Sequence, residues 1–288
     1  MAARPFDPIA AALREDIGGG DITSKTFVRA GTRVSGQIIA REPAIIAGTK
    51  TAAEVFRRVD PGIKIRIVRR DGSSVVRGQA IIELRGSARA ILAAERVALN
   101  FLQHFSGIAT LTRKFVKAAG NRRVQILDTR KTTPGLRVLE KAAVVAGGGA
   151  NHRFGLFDMV LVKDNHLAAG PGLSGIARAI RRVRRNNSGV RVEVEADRLD
   201  QVRILLEMAA ADVILLDNMT TAEMRKAVAL RDKTGGRARR IKFEASGGIT
   251  LKNVRQIAAT GVDYISVGAL THSAPAVNLS LELRNVES

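Results

Sequence analysis

The sequence predicts an α/β protein in two parts: a smaller antiparallel unit, then a longer run in which strands and helices alternate. Three observations carry this prediction. Residues 34 to 85 show the period-two alternation of half-buried strands. Near residue 110 that pattern stops. From residue 124 onward, short aliphatic runs are separated by stretches of helical periodicity, as in a parallel sheet whose crossovers are helices.

Each element has its own signal. Ile63-Lys-Ile-Arg-Ile67 puts its isoleucines on one face of a strand, and Asp71-Gly72 reads as a turn before Val75-Val76 and Ala80 to Leu84. A helix begins at or after Ser87, with Ile91, Leu92, Leu99, Leu102 and Phe105 as its apolar stripe. Ser106-Gly107 is expected to interrupt it before another helical stretch to Ala119, the pair bridging two domains. The later strands are Val124 to Leu127, Met159 to Val162, Val190 to Val194, Val213 to Leu216, Ile241 to Phe243 and Tyr264 to Val267. Between them, Thr220-x-x-Glu223 is a capping box ahead of Met224, Ala227 and Val228. Leu251, Val254, Ile257 and Ala258 form a stripe closed by Gly261. Periodicity leaves open whether the sheet closes into a barrel. Polar residues nevertheless recur just after the strands (Asp128, Lys163, Glu195, Asp217, Ser246, Gly268), and convergence at one barrel mouth accounts for them.

Composition narrows the function. At 288 residues, 45% apolar and 26% charged, the chain can bury a large core. Cysteine is absent, which excludes disulfides and thiolate metal sites, argues against zinc and accords with a reducing cytosol. The first residues lack the unbroken apolar segment of a signal peptide, and no apolar run approaches the ~18 residues of a membrane span. A soluble cytoplasmic protein without a membrane partner is expected. The formal charge of +20 invites a nucleic-acid reading. Against it, aromatic residues are only 3%, so base-stacking platforms are scarce. The basic run Arg178 to Arg185 also carries Ile180 and Val183 three apart, leaving arginines on the solvated face of a helix. No nucleic acid is expected, although a positive field would draw in small anions. His104, His152, His166 and His272 lack ligand spacing, so a histidine metal site is not expected.

The chemistry concentrates in Asp128-Thr-Arg-Lys-Thr-Thr-Pro-Gly135, Gly147-Gly-Gly-Ala-Asn-His-Arg153 and Lys163-Asp-Asn-His166. Arg130, Lys131, His152, Arg153 and Lys163 follow strands or glycines, where α/β enzymes keep their sites, and together they make an anion cradle. Ser246-Gly247-Gly248 lies between a strand and the helix expected over Leu251 to Thr260, so its N–H groups and that helix terminus can receive a phosphate. Val267-Gly268-Ala269 follows the next strand in the same way. Glu193 and Glu195 share one face of a strand and Asp217 ends another. Carboxylates opposite an anion cradle suit a divalent cation or a developing positive charge.

These motifs, with Glu193-Val-Glu195, Leu216-Asp-Asn218, Glu244-Ala-Ser-Gly-Gly248, Ile265-Ser-Val-Gly268, and earlier Glu15-Asp-Ile-Gly-Gly-Gly-Asp-Ile-Thr-Ser24, Glu95-Arg-Val-Ala-Leu-Asn100 and Ser106-Gly-Ile-Ala-Thr110, resemble the quinolinate phosphoribosyltransferase family. The resemblance spans nearly the whole chain in order. It implies transfer of phosphoribosyl from 5-phosphoribosyl-1-pyrophosphate to the quinolinate nitrogen, with loss of carbon dioxide and pyrophosphate, assisted by Mg²⁺. The product is nicotinate mononucleotide, in de novo NAD synthesis. It implies that Thr129, Arg130, His152, Arg153 and Lys163 bind substrate, the quinolinate carboxylates above all, and that Lys131 binds donor phosphate. Glu195 and Asp217 would engage the ribose hydroxyls and Mg²⁺, through water in one arrangement, with Lys131, Lys163, Glu195 and Asp217 as the catalytic set. Ser246, Gly247, Gly248, Val267, Gly268 and Ala269 would hold the 5-phosphate. Each close carboxylate–cation pair is attractive by about 4 kcal/mol at an effective dielectric of 20, before desolvation is subtracted.

The same resemblance implies a homodimer, or an oligomer of dimers, in which Arg96 of the partner subunit reaches the active site. The implied fold is an N-terminal α/β sandwich over residues 1–110 and an incomplete, seven-stranded βα barrel over 111–274, with the tail from about 275 to 288 returning to the first domain. Ala142 stands where many relatives carry an aromatic, a departure that touches packing and no charged contact. A phosphoribosyltransferase of the same fold with another acceptor, as in the pyrophosphorylase-like proteins associated with molybdate transport, is the nearer alternative, and the intact cradle argues against it. A basic nucleic-acid-binding protein is the remoter one.

Overall fold

The computed structural model describes residues 6–121, 123–170, 172–187 and 189–285. In chain order its strands begin with β1 (Arg33–Ala40), β2 (Ala44–Ile45), β3 (Lys64–Ile67), β4 (Ser74–Val75), β5 (Ala80–Ser87) and β6 (Gln125–Leu127). They continue with β7 (Val160–Val162), β8 (Val192–Ala196), β9 (Val213–Asp217), β10 (Lys242–Ser246), β11 (Tyr264–Ser266) and β12 (Leu279–Asn285). The helices are α1 (Pro8–Ile17), α2 (Ile22–Phe27), α3 (Thr49–Val59), α4 (Ala88–Ala119), α5 (Arg137–Ala146) and α6 (Asp164–Ala169). After them come α7 (Gly172–Asn186), α8 (Leu199–Met208), α9 (Thr221–Thr234), α10 (Val254–Ala258) and α11 (Ala269–His272). The chain divides into two compact units, one made of residues up to Arg113, Thr132–Gly148 and Leu270 onward, the other of Lys114–Lys131 and Gly149–Ala269. The segment Thr132–Gly148 thus groups with the first unit although it follows β6.

The first unit is built on a four-stranded antiparallel sheet in the order β12-β1-β5-β3, with β2 and β4 paired separately. Residues 34 to 85 are not strands throughout, because α3 intervenes and buries Ala52, Ala53, Val55 and Phe56. Its start is fastened by Asp71, whose Oδ1 accepts from Thr49 N at 3.0 Å and from Thr49 Oγ1 at 2.7 Å. A residue that reads as part of a turn therefore also caps a distant helix. A second correction concerns α4, which runs unbroken for 32 residues through Ser106 and Gly107. Ser106 is buried and uses its hydroxyl sideways, accepting from Ala47 N at 3.1 Å and donating to Ala47 O at 3.3 Å. Gly107 passes so close to Pro275 that a Cβ would lie 2.2 Å from its carbonyl oxygen. The pair breaks no helix. It permits close packing, at the ~1 kcal/mol that glycine costs a helix interior.

In the second unit six parallel strands lie in the order β6-β11-β10-β9-β8-β7. Where a seventh strand is implied, a single parallel bridge joins Ala150 to Leu127, with Ala150 N donating to Ile126 O at 2.8 Å. Glu193 of β8 and Glu244 of β10 both meet His152, which follows that bridge, so the sheet curls around a shared interior. The capping box forms: Thr220 N donates to Glu223 Oε2 at 2.8 Å and Glu223 N to Thr220 Oγ1 at 3.3 Å. On α7, Ile176 and Ile180 are buried while Arg178, Arg181, Arg182, Arg184 and Arg185 are exposed, the solvated face that the spacing predicts. α10 is shorter than its stripe suggests. Leu251 is exposed, and the chain before the helix is a turn in which Thr250 N donates to Asn253 Oδ1 at 2.8 Å.

Candidate active site

The cationic groups enter from the loops that follow the strands of the second unit. Beyond β6, Asp128 is fully buried and its Oδ1 accepts from His152 N at 2.9 Å, which ties this loop to the segment carrying Arg153. Thr129 Oγ1 accepts from Lys131 N at 3.1 Å, and Arg130 and Lys131 are exposed. Arg153 is only 9% exposed, with Nη1 donating to Met159 O at 3.3 Å. Burial lowers its guanidinium pKa, the Arg130 charge lowers it further, and Glu193 and Asp158 oppose both. Two guanidinium groups are thus held within each other's field, one of them out of water. Such an arrangement is unfavourable alone and favourable around a dianion.

Lys163, just past β7, is half exposed and pairs with Glu195 of β8, Nζ to Oε2 at 3.2 Å. Asp217 ends β9, its Oδ2 accepting from Asn218 Nδ2 at 2.7 Å. Asn218 N donates to Ser246 O at 2.9 Å, joining the ends of β9 and β10. Immediately after, Gly247 (φ +92°) lies where a Cβ would come within 2.0 Å of Asn218 Oδ1, so only glycine fits. The glycine turn exists as expected, but the helix terminus expected behind it does not: Thr250 to Asn253 separate it from α10. The second phosphate turn needs a similar correction, since Val267 N donates to Leu127 O at 2.9 Å and its side chain is buried. Val267 serves the sheet, and the turn at Gly268 leads directly into α11, which begins at Ala269. Arg96 is exposed on α4 of the first unit.

The interior of the second unit holds a cluster that sequence spacing does not reveal. The His152 side chain is 8% exposed, with Nε2 at 3.0 Å from Glu193 Oε2 and at 3.5 Å from Glu244 Oε1. Its Nδ1 accepts from Arg153 N at 2.7 Å. The imidazole expected to touch an acceptor carboxylate is therefore engaged at both nitrogens within the protein. Glu193 Oε1 and Glu244 Oε1 are buried without a hydrogen-bond partner. Burial and then the neighbouring Glu193 push the Glu244 carboxyl up to about 8, with His152 and Ser266 opposing. The three residues bring their ligand atoms within 4.8 Å of one another, a set no His-x-x-x-His search detects because it is assembled from two strands and a loop. The available signal was different: glutamates flanked by apolar residues inside parallel strands, where an unsatisfied charge is costly. A cavity of about 90 Å³ touches all three, along with Ala150, Arg153 and Tyr264.

Known proteins match the chain along nearly its whole length. Residues 21–106 match the model of the quinolinate phosphoribosyl transferase N-terminal domain, and residues 108–282 that of its C-terminal domain. The nicotinate-nucleotide pyrophosphorylase (carboxylating) of Mycobacterium leprae is 43% identical over 280 residues, covering 96% of each chain. Among solved structures, NadC of Streptococcus pyogenes superposes with a TM-score of 0.89 at 36% identity over 100% of both chains. The nicotinate-nucleotide pyrophosphorylase of Francisella tularensis gives 0.87 at 39% identity, over 96% of this chain and 94% of that one. With both domain models matched in order and the cradle residues in place, the chain belongs to the quinolinate phosphoribosyl transferase family.

Proposed function

We propose that this chain transfers the phosphoribosyl group of 5-phosphoribosyl-1-pyrophosphate to the ring nitrogen of quinolinate, releasing pyrophosphate and carbon dioxide and forming nicotinate mononucleotide for NAD synthesis. The observation that carries the reading is Arg153, a guanidinium held out of water within the field of the exposed Arg130. Quinolinate carries two neighbouring carboxylates, and a guanidinium can bind each bidentately. Lys163 adds a third cation from the next strand end, and exposed Lys131 suits a donor phosphate. With the acceptor held, its nitrogen lone pair forms a bond to ribose C1 as the bond to pyrophosphate breaks. Glu195 and Asp217, on the ends of adjacent strands β8 and β9, favour the positive charge that grows on the sugar. Alkylated, the ring becomes a pyridinium that takes the electron pair left when the 2-carboxylate departs as carbon dioxide, and C2 is then protonated. No separate decarboxylation cofactor is required.

Glu195 and Asp217 also offer the hard oxygen donors that Mg²⁺ takes, and each commits an oxygen to one neighbour, Oε2 to Lys163 and Oδ2 to Asn218. They would hold the ion, which when bound neutralises charge on the departing pyrophosphate. We further infer a homodimer in which exposed Arg96 serves the partner's site. Large apolar side chains left bare, Ile22 and Phe27 in the first unit and Leu156 and Phe157 in the second, support an assembly. The place of work is inferred to be the cytoplasm, and no helix among the described residues is long and apolar enough to cross a membrane.

The test is release of labelled carbon dioxide from the quinolinate 2-carboxylate, beside a parallel reaction with nicotinate. Release that requires both substrates and drops by on the order of 100-fold in Arg130→Ala or Lys163→Ala supports the reading. No release from the folded protein would sink it.

A further inference from the structure

We propose that Glu244, paired with Glu193, is a positioning residue for the acceptor site: the buried carboxyl pair fixes the His152 imidazole, and the imidazole fixes the backbone at Arg153. The inference rests on the reading of Arg153 as an acceptor ligand.

The geometry is a strut with two ends. Glu193 and Glu244, 1% and 2% exposed, come from β8 and β10 and flank β9. They meet His152 at Nε2, 3.0 Å from Glu193 Oε2 and 3.5 Å from Glu244 Oε1. At the other end, Nδ1 receives the N–H of Arg153 at 2.7 Å. A ring nitrogen that accepts a hydrogen bond carries no proton, so the imidazole proton lies on Nε2, aimed at the carboxyls. The ring thereby connects the interior to the peptide of the residue whose guanidinium completes the cradle. His152 N is held too, by Asp128 Oδ1 at 2.9 Å, so the backbone at both residues is fixed from within.

The two carboxyl groups face each other out of water. Each leaves one oxygen, Oε1, buried and without a hydrogen-bond partner, and a proton on Glu244 would supply a donor to its neighbour. The upward push on Glu244 accords with this. The pair faces the Nε2–H and lies within the field of the Arg153 guanidinium. Glu244→Gln keeps a neutral donor of the same shape, whereas Glu244→Leu removes donor and acceptor together.

Calorimetric titration of quinolinate and of 5-phosphoribosyl-1-pyrophosphate with Mg²⁺, on the full chain, separates the possibilities when combined with long-range ¹H–¹⁵N spectra of His152. Glu244→Leu is expected to weaken quinolinate by about tenfold or more, as loss of one charge-assisted contact predicts, and to leave the donor within about threefold. Glu244→Gln is expected to rescue quinolinate affinity, with His152 in the Nε2–H form as in the unaltered chain. Wild-type affinity in Glu244→Leu, with Arg153→Ala weakened, overturns the positioning role and leaves the acceptor site standing. Unchanged quinolinate affinity in Arg153→Ala overturns the acceptor-site reading itself. If Glu244→Leu does not fold, the spectrum of Glu244→Gln decides: an Nδ1–H imidazole overturns the proposal and an Nε2–H imidazole supports it. Selective broadening of the His152 signals by Mn²⁺ would show a metal site there instead and overturn it as well.

Discussion

Glu193 and Glu195 stand two residues apart on one strand, and their surroundings differ completely. Glu195 lies at the mouth, 12% exposed at its side chain, and faces the half-exposed Lys163. Glu193 lies in the interior, 1% exposed, and faces a histidine and another carboxyl. At the mouth, charges are numerous, of both signs and within reach of water, so they can exchange partners when an anion or cation arrives. In the interior the charges are few and their arrangement is fixed, because each reorganisation would strand a charge out of water. In the proposed function, strand ends bind and strand middles hold the binding groups still.

Three substitutions probe that contrast. The largest effect is expected at the boundary between the regions, from Arg153→Ala. Its kcat/KM for quinolinate should fall by on the order of 10²–10³-fold in steady-state assays, as for removal of a desolvated charge partner. Its melting temperature should change little, because relief of a buried cation beside Arg130 offsets the lost attraction to Glu193 and Asp158. A large drop in melting temperature would make Arg153 a structural residue and erase the distinction.

An intermediate effect concerns pH. The Glu244 carboxyl is raised from 4.5 to about 8 in the folded chain. Between those values the folded state binds more protons than the unfolded state, so stability declines as pH rises through the window and levels off above it. Urea midpoints measured from about pH 5 to about pH 8 should show the decline, and Glu244→Gln should flatten it. An identical slope in the variant would assign the interior proton elsewhere. The smallest effect lies away from both regions. Thr220→Ala removes the capping box of α9 and should cost about 1 kcal/mol in urea denaturation, with unaltered turnover.

The alternation of strands and helices from Gln125 onward was legible because short stretches rich in apolar residues, such as Val160–Val162 and Val213–Asp217, are followed by polar residues and then helical periodicity. The mouth was legible for the same reason, since strand ends mark it. Three features were not. α3 hides among strand-like alternation, and what fastens it, Asp71, lies far along the chain. Ser106-Gly107 carries the composition of a break, yet the requirement it meets is the approach of Pro275, a residue no local window contains. The interior cluster is the clearest case. His152, Glu193 and Glu244 have no meaningful spacing in sequence, because a curled sheet, not a helix turn, brings them together.

The pairing of β12 with β1 has a consequence for how the molecule is made. Synthesis delivers β1 (Arg33–Ala40) long before its neighbour β12 (Leu279–Asn285), so one edge of β1 stays uncovered while the chain between them emerges. At ~5–20 residues per second that interval is on the order of ten seconds or more. During it, the newborn first unit presents an open strand edge, the feature that invites pairing with other chains. The stretch Gly149–Ala269, by contrast, is contiguous and emerges whole before the tail arrives. Loss of the final strand, by a premature stop or a clipped terminus, would leave that edge bare for the life of the protein. Harm from such a lesion would fall on solubility, through residues that never approach a substrate.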